Sequence, residues 1–434
     1  MRLVNEGIEK ELCDRRGVLM TKQIPEIKMI DNTVNVVTEG YNFVGKRMSQ
    51  MDTDVFEARI LGKKMIVMTG RDAAELFYDE SKIKREGAMP ARIQKTLFGV
   101  NGIHTKDGQK HKIRKAMFMS MMTEERLAHL RTILQEEWKR KGLEMQQKKR
   151  AVLFDEAEEL ILRALCRWTG VPLTDAESWR RAYEVGVMID AAGGIGKRYR
   201  EGEKVRIKTE GWIQEVIEAV RDGRMKAEEG TPVHTVAFHE EEGELLDAHM
   251  AAIELLNVIR PAVAVARFVA FAALALHDFP EWKNKLSTTK ELNNFANEVR
   301  RFYPFTPFLP AVVKEDFEWK GYRFKEGRHV ILDVHGINRD PRIWEKPELF
   351  NPDRFHDFVD DRFNFIPQGG GDPETGHRCP GEPIAVMIIE ESVRYLAENL
   401  SYDVPEQDLT INMVRMPTLP KDRFILDNIK VTER

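Results

Sequence analysis

One cysteine of this sequence stands where its thiol could act as a metal ligand. Cys379 follows the glycine-rich segment FIPQGGGDPETGHR and directly precedes an amphipathic pattern that predicts a long helix. A sulfur at the N-terminal end of a helix faces amide N–H groups and the positive end of the helix dipole, which favour thiolate, a ligand of iron. The glycines at 369–371 would let the backbone approach a flat ligand closely. The residues alone also allow an ordinary buried cysteine.

An acid and two arginines form a second set. Glu298 and Arg301 are three residues apart, on one face of a predicted helix, and Arg354 follows within the segment NPDRF at 351–355. Taken alone, such a pair is typical of a solvated helix ion pair, which contributes little to stability. Its significance therefore depends on what surrounds it.

A cation and a proline interrupt the most apolar stretch of the chain, residues 248–277. Burying the Arg260 guanidinium there costs several kcal/mol unless an anion meets it, so it needs a carboxylate or phosphate partner. Pro261 removes one helical hydrogen bond, which frees the Asn257 carbonyl and predicts a kink. The alternatives are that Arg260 pairs with an internal acid such as Glu254, or extends to solvent.

Composition limits the class of protein. The chain has 434 residues, 42% of them hydrophobic, and 67 basic against 71 acidic side chains give a net charge of −4, so a globular protein that does not bind nucleic acid is expected. The three cysteines are widely separated, which argues against a disulfide framework or a multi-cysteine zinc site. The charged N-terminus has no apolar stretch of the secretory type, and no membrane anchor is visible. A cytoplasmic location is expected.

The elements that must position these residues are mainly helical. Residues 55–70 predict a hairpin around the turn Gly62-Lys63-Lys64, and helical periodicity dominates from about 110 to 280. Further strands are predicted at FEWKGYRF and HVILDV, and a long helix at PIAVMIIEESVRYLAENL. The predicted fold class is mainly α with small β-sheets, and a single domain stays possible because no linker or repeat divides the chain.

The order of these motifs resembles that of a cytochrome P450 over residues 20–434, a single haem-binding domain, with residues 1–19 as an N-terminal extension or the product of a start codon chosen too early. The resemblance implies a haem b whose iron takes Cys379 as axial thiolate, with Glu298, Arg301 and Arg354 locking the side of the haem that carries the cysteine. The family's Trp-x-x-x-Arg is matched in position by HKIRK at 111–115. The residues assigned to the haem propionates are His111 and Lys115, and then Arg85, Tyr303 and His377.

Two departures from the usual P450 pattern alter the expected reaction. Thirteen residues separate Phe365 from Cys379, more than is usual, on the face where a redox partner would dock. The acid and alcohol pair of the oxygen-binding helix is replaced by Arg260 and Pro261. This replacement resembles the fatty-acid peroxygenase branch, as do LFGVNGIH at 97–104, RRFYPF at 300–305, IPQGGG at 366–371 and YDVPEQD at 402–408.

That resemblance implies that a long-chain fatty acid pairs its carboxylate with Arg260 and is oxidised by hydrogen peroxide without a redox partner. Arg260, Pro261 and His104 are the implied catalytic residues, and His104 stands where the best-known alkene former has histidine, which favours decarboxylation over α- or β-hydroxylation. His104 could instead only pack in the pocket. The other implied pocket residues are Leu97, Phe98, Ile189, Phe305 and Thr306. The competing functions are a monooxygenase fed by a redox partner and a non-catalytic haem-thiolate fatty-acid sensor.

Overall fold

Helices form most of the fold. The structure is a computed structural model and describes residues 22–432, so the predicted extension at 1–19 lies outside the described residues. The α-helices are α1 (Thr33–Glu39), α2 (Asn42–Met51), α3 (Arg71–Phe77), α4 (Ala91–Ile93), α5 (Gly108–Ser120), α6 (Glu124–Lys148), α7 (Leu153–Thr169), α8 (Asp175–Ala191), α9 (Lys197–Arg221), α10 (Pro232–Ala237), α11 (Ala248–Ala264), α12 (Ala266–Asp278), α13 (Thr289–Phe302), α14 (Val334–Ile337) and α15 (Glu382–Arg394).

Short helical turns lie between some of these helices. Two are π-helical, Gln94–Phe98 and Tyr395–Asn399, and three are 3-10 turns, Ile103–Thr105, Pro280–Lys285 and Pro352–Phe355. Of the pocket motif predicted at 97–104, the first π turn carries Leu97 and Phe98, the first 3-10 turn carries Ile103 and His104, and residues 99–102 connect the two turns.

Small sheets flank the helical body. The strands are β1 (Val55–Ile60), β2 (Lys63–Met68), β3 (Ile83–Lys84), β4 (Ala151–Val152), β5 (Glu240–Glu241), β6 (Glu244–Leu245), β7 (Phe308–Val313), β8 (Phe317–Trp319), β9 (Tyr322–Phe324), β10 (His329–Asp333), β11 (Leu400–Asp403) and β12 (Ile425–Val431). The largest sheet has the order β1-β2-β10-β7-β3, a second has β11-β12-β4, and two hairpins pair β5 with β6 and β8 with β9. The predicted class, mainly α with small sheets, is confirmed.

The main core surrounds α11 and α12, whose side chains are almost all buried against α7, α9 and α15. Alanines are frequent from 262 to 275, and these small side chains let neighbouring helices approach closely. Within residues 22–432, Ala248–Asp278 is the segment long and apolar enough to cross a membrane, and it lies inside the protein. The predicted buried helix is thus confirmed.

The long helix is interrupted at a different residue from the one predicted. Helix α11 continues through Pro261 to Ala264, and its hydrogen-bond pattern is interrupted at Val265, whose φ of −65° and ψ of −17° remain in the right-handed helical region. The Val265 N–H donates to the Ala262 carbonyl at 3.0 Å, an i to i−3 bond that tightens the turn. The proline ring is therefore accommodated within the helix, and the break follows one turn later.

The first hairpin forms where it was predicted, but its turn is shorter. Ile60 pairs with Lys63, so the turn consists of Leu61 and Gly62, both with positive φ of 52° and 73°. Two-residue turns with positive φ at both positions match the twist of paired strands. Lys63 and Lys64 belong to β2 rather than to the turn.

Candidate functional site

Cys379 lies in the last turn before α15. Its N–H donates to the Gln368 carbonyl at 3.1 Å, so the glycine-rich loop folds back to hold it. Burial raises the pKa of the Cys379 thiol, and the Gly381 N–H, Lys115 and Arg300 oppose this without overcoming it. The helix end and the two cations thus lower the pKa of this thiol only in part. A bound metal ion would displace the proton, because the thiolate is the ligand form.

The glycines of this loop serve the packing of the loop itself. Gly369 and Gly371 have φ of +91° and +82°, and a Cβ on Gly369 would lie 2.9 Å from the Tyr78 hydroxyl oxygen. A Cβ on Gly370 would lie 2.6 Å from the Arg362 carbonyl oxygen. The missing side chains thus leave room for Tyr78 and for the chain at 362.

A set of ion pairs that sequence reasoning missed fixes the same loop. Arg300 donates through Nε to Gln368 Oε1 at 2.8 Å and also pairs with Glu382. Arg378 contacts Glu382 at 2.6 Å and Asp360 at 2.9 Å. Glu382 is the first residue of α15, where an anion also meets the positive end of the helix dipole. The residue before the cysteine and the helix after it are thereby held together.

The structure brings Glu298, Arg301 and Arg354 into one buried network. Arg301 donates to Glu298 through Nε at 2.6 Å and Nη2 at 2.8 Å, and both side chains are fully buried. Arg354 Nε lies 3.2 Å from Glu298 Oε2. The remaining guanidinium N–H groups donate to carbonyls of residues 338, 345, 347 and 349. A buried acid with this many donors ties α13 to the segment that leads to the cysteine loop.

Basic side chains cluster near the start of α5. The rings of His111 and His377 lie 3.9 Å apart, and His377 Nε2 is 3.4 Å from Asp107 Oδ1. Lys115 donates its ammonium group to the Arg378 carbonyl. Arg85 is buried, donates to the Phe77 carbonyl at 3.1 Å and stands over the Phe77 ring. Burial lowers the pKa of His111 to about 3 and that of Lys115 to about 8, so nearby acids such as Asp107 do not offset the cost of charging these groups.

This cluster suits carboxylate groups better than a metal ion. Ligand atoms of Glu80, His111 and His377 lie within 4.8 Å of one another, which is the spacing of a metal site. The charges of Arg85 and Lys115 nevertheless act on His111, and two cations repel a third. The two propionate carboxylates of a haem fit this arrangement of donors.

Tyr303 lies elsewhere. Its ring stacks on Phe271 of α12 at 4.7 Å with an interplanar angle of 8°, and it also contacts Phe302 and Phe350. Among the described residues it forms no hydrogen bond with the basic cluster. Its predicted role at the propionates therefore finds no support in this geometry, whereas Arg85, His111, Lys115 and His377 are grouped.

Arg260 is buried without an acid partner among the described residues. Its Nη2 donates to Asn257 Oδ1 at 3.3 Å, its Nε has no hydrogen-bond partner, and its Cζ lies 5.3 Å from the centre of the Phe98 ring. Burial lowers the pKa of the Arg260 guanidinium, the charge of Arg206 lowers it further, and the Cys379 thiolate opposes both.

Glu254 is committed to another arginine. It accepts from Arg114 Nη1 at 2.8 Å, from the Ile103 N–H at 2.8 Å and from Asn257 Nδ2 at 3.0 Å. The alternative that Glu254 neutralises Arg260 is therefore not what the structure has. Instead, Glu254 orients Asn257, whose oxygen then faces Arg260.

His104 and Phe98 complete this side of the site. Their rings lie 4.3 Å apart, and His104 Nδ1 is buried with no hydrogen-bond partner. Burial, and next the charge of Arg260, lower the pKa of His104 to about 3. The imidazole is therefore neutral at pH 7 in the protein without ligand, whereas an unperturbed histidine would be partly charged.

The other predicted pocket residues come from neighbouring elements. Phe305 contacts the Phe268 ring of α12 at 4.8 Å, and its carbonyl accepts from the Tyr41 hydroxyl at 2.5 Å. Ile189 is buried on α8, and Thr306 is partly exposed beside Phe305. Neither forms a hydrogen bond with Arg260. The structure thus brings Phe98, His104 and Arg260 together, whereas Ile189 and Thr306 lie on neighbouring segments of the chain.

Comparison with known proteins agrees with this arrangement. The profile of the family "Cytochrome P450" matches residues 278–425. The solved structure of cytochrome P450EX alpha (CYP152N1) with myristic acid is 40% identical, with a TM-score of 0.91, and the match covers 95% of this chain and 100% of that one. A variant of cytochrome P450 OleT in complex with arachidonic acid is 37% identical, with a TM-score of 0.93 and the same coverage.

A curated relative, tabersonine/lochnericine 19-hydroxylase of Catharanthus roseus, is 36% identical over 121 residues, which are 27% of this chain and 23% of the relative. This chain therefore matches less than a third of that relative's length. The full-length structural matches decide the class: the chain belongs to the cytochrome P450 family. Its cofactor is accordingly haem b, held through a cysteine thiolate.

Proposed function

We propose that this chain is a haem-thiolate peroxygenase that uses hydrogen peroxide to oxidise long-chain fatty acids, by decarboxylation to terminal alkenes, by α- or β-hydroxylation, or by both. The observation that carries the proposal is the buried Arg260 guanidinium, which no acid among the described residues neutralises. Two similar structures, titled with myristic and arachidonic acid, support a fatty acid as the substrate. A cytoplasmic location remains part of the proposal.

Cys379 is the proposed axial ligand, and Arg85, His111, Lys115 and His377 are the proposed partners of the haem propionates. The haem, when bound, supplies the activation of peroxide that no side chain here can provide. The Glu298 network fixes α13, and Arg300 on that helix pairs with Glu382 beside the cysteine. These residues therefore hold the sulfur in one place.

Arg260 binds the fatty-acid carboxylate in this proposal. Its Nε has no partner, and its Nη2 has only a long hydrogen bond to Asn257, so both are available for a charge-assisted, bidentate contact. Anchoring the head group fixes Cα and Cβ, because they are the first two carbons of the chain. Phe98 and Phe305 supply apolar contact for the carbons that follow.

Proton movement is assigned to the substrate and to His104. With Arg260 and Pro261 where an acid and an alcohol usually stand, the anchored carboxylate is the acid–base group nearest to the reacting carbons. His104 is neutral, and its unpartnered Nδ1 lies beside the same space. A neutral imidazole can donate or accept one hydrogen bond to the carboxylate or to peroxide.

Peroxide dependence rests on two features of this chain. The usual proton-delivering pair is missing, and ion pairs of Arg300, Arg378 and Glu382 tie the enlarged cysteine loop to α13 and α15. These three charges are engaged with one another. A redox partner is therefore not required in the proposed reaction.

The test compares two oxidant systems with purified haem-loaded protein and a long-chain fatty acid. Hydrogen peroxide alone is expected to give alkene or hydroxy acid, resolved by gas chromatography. NAD(P)H with a reductase and ferredoxin, in the presence of catalase, is expected to give at least tenfold less. Product only in the second system would identify a conventional monooxygenase. A ligand-induced spectral shift with no product in either system would identify a fatty-acid sensor.

The choice between products tests His104. His104→Gln is expected to shift products from alkene toward hydroxy acid, because the amide cannot act as an imidazole does in proton movement. His239→Gln is the matched control, since His239 is also a histidine with a buried unpartnered nitrogen but lies between α10 and β5. An unchanged product ratio in His104→Gln would contradict the assignment.

A further inference from the structure

The π turn at 94–98 carries two pocket residues and is held from outside by an arginine that no motif indicated. Arg206 of α9 is buried, with 1% of its surface exposed. Its Nη1 donates to the Leu97 carbonyl at 2.6 Å. Leu97 is bonded to Phe98, whose ring lies against both His104 and Arg260. One hydrogen bond therefore connects α9 to the wall of the pocket.

Arg206 is itself fixed in direction. Its Nε donates to Glu210 Oε1 at 2.5 Å, one helical turn further along α9. The other carboxylate oxygen, Glu210 Oε2, lies 3.1 Å from His249 Nε2 at the start of α11. The guanidinium is thus aimed at the π turn by a carboxylate that is held from its far side.

A glycine makes room for the guanidinium. Gly99 follows Phe98 with φ of +81°, and a Cβ there would lie 2.7 Å from Arg206 Nη2 and 2.4 Å from Ile253 Cγ2. The π turn ends at this glycine and packs directly on Arg206 and α11. The contact leaves the turn little freedom to shift relative to Arg260, which belongs to α11.

The charge of Arg206 also reaches the site. It is the second contribution, after burial, that lowers the pKa of Arg260, and it acts on His104 as well. Keeping two like charges buried near each other costs free energy, which polar contacts must offset. For Arg206 these contacts are the Glu210 carboxylate and the Leu97 carbonyl, and the second of them belongs to the pocket wall.

From this geometry we infer that Arg206 is a positioning residue for substrate oxidation: by holding the Leu97 carbonyl, it fixes the Phe98 ring between His104 and Arg260 and so decides how the substrate's Cα and Cβ are presented. The inference rests on the proposed function and adds a residue that determines its selectivity. Arg206 contacts no reacting atom in this role.

The experiment compares three variants of the haem-loaded enzyme with the wild type. Arg206→Met removes the charge and all donors at similar length, and Arg206→Lys keeps the charge but reaches only one of the two acceptors. Arg221→Met is the matched control, because Arg221 lies on the same helix and donates to backbone carbonyls of Ala237 and Leu246, away from the π turn. Fatty-acid affinity is measured by the ligand-induced spectral shift, and products by gas chromatography.

Arg206→Met is expected to weaken fatty-acid binding about tenfold and to change the ratio of Cα to Cβ products at least threefold, with an unchanged carbon-monoxide spectrum. Arg206→Lys is expected to lie between this variant and the wild type, and Arg221→Met to match the wild type. A product ratio unchanged in both Arg206 variants would overturn the inference, as would an equal change in Arg221→Met.

The proposed function can fail separately. Wild-type protein that gives no product with peroxide would refute the proposed function, and the spectral titration would still report on Arg206, since it needs no turnover. Should Arg206→Met fail to fold, Arg206→Lys decides alone: a product ratio equal to that of wild type overturns the inference, and a changed ratio supports it.

Discussion

Two buried charge clusters of this chain differ in how far their hydrogen bonds are satisfied. Around Glu298, the carboxylate meets two arginines, and their other N–H groups find backbone carbonyls. Arg260 itself makes one long hydrogen bond, to Asn257. One nitrogen atom each of Arg260, Arg206 and His104 has no hydrogen-bond partner among residues 22–432.

This difference separates a structural cluster from one that is prepared for a ligand. Unpaired buried polar groups cost free energy, so a cluster of them calls for an explanation, and a ligand that completes their hydrogen bonds is one. The Glu298 cluster is complete without any ligand and can contribute to stability throughout the catalytic cycle. In the proposed function, the Arg260 cluster gains its anion when the fatty acid binds.

The largest expected effect comes from breaking the completed cluster. Glu298→Gln removes the anion that faces Arg301 and Arg354, leaving buried cations uncompensated, and is expected to cost about 3 to 5 kcal/mol of the free energy of unfolding. Glu345→Gln is the control, because its carboxylate is exposed and its pair with Lys346 is worth under about 1 kcal/mol. Denaturant titration checks both. Equal stability of the two variants would mean that the cluster is not structural.

The incomplete cluster should respond in the opposite way. Arg260→Met is expected to weaken fatty-acid binding about a hundredfold, roughly 2.7 kcal/mol, while the ligand-free protein keeps or gains stability because an unpaired cation is gone. Arg301→Met, in the completed cluster, is the control: Arg301 donates to Glu298 at 2.6 and 2.8 Å, and losing it should lower stability. A strong loss of stability in Arg260→Met would show that Arg260 has a structural partner.

A smaller effect concerns pH. The pKa of His104 is lowered from 6.5 to about 3, so the unfolded chain takes up this proton first, and the ligand-free protein loses stability as the pH falls from 6.5 toward 3. At pH 5.5 the loss is about 1.4 kcal/mol. In His104→Gln, the part of this stability loss that comes from His104 should be missing. His111 and His335, whose pKa values are also lowered to about 3, contribute equally to both proteins and so cancel in the comparison. Parallel pH profiles for the two proteins would contradict the burial of a neutral imidazole.

Much of the fold could be predicted, because its signals are local. Helical periodicity marks α6, α7 and α9, and alternation marks β8 to β10. The turn at Leu61 and Gly62 was placed one residue too late, since Lys63 and Lys64 have no property that excludes them from a turn. The break at Val265 was missed because a proline is a visible signal, whereas the place where a helix relieves its strain depends on packing.

The site residues likewise divide into those with a local sequence signal and those whose role depends on distant packing. Arg260 and Glu298 stand out because charged residues are rare in apolar surroundings, and Cys379 because of its loop. Arg206 was missed because its acceptor is a backbone carbonyl 109 residues away, and any residue offers a carbonyl. Tyr303 was assigned by its place in the chain, while its environment is a stack of aromatic rings.

In the proposed reaction, the lack of an acid partner for Arg260 among the described residues also affects how readily each product dissociates. A hydroxy acid still carries its carboxylate, so it can remain on the guanidinium and compete with the next substrate molecule. An alkene has lost that group as carbon dioxide and retains only apolar contacts. Inhibition by accumulated product is therefore expected from the hydroxylation branch and not from decarboxylation.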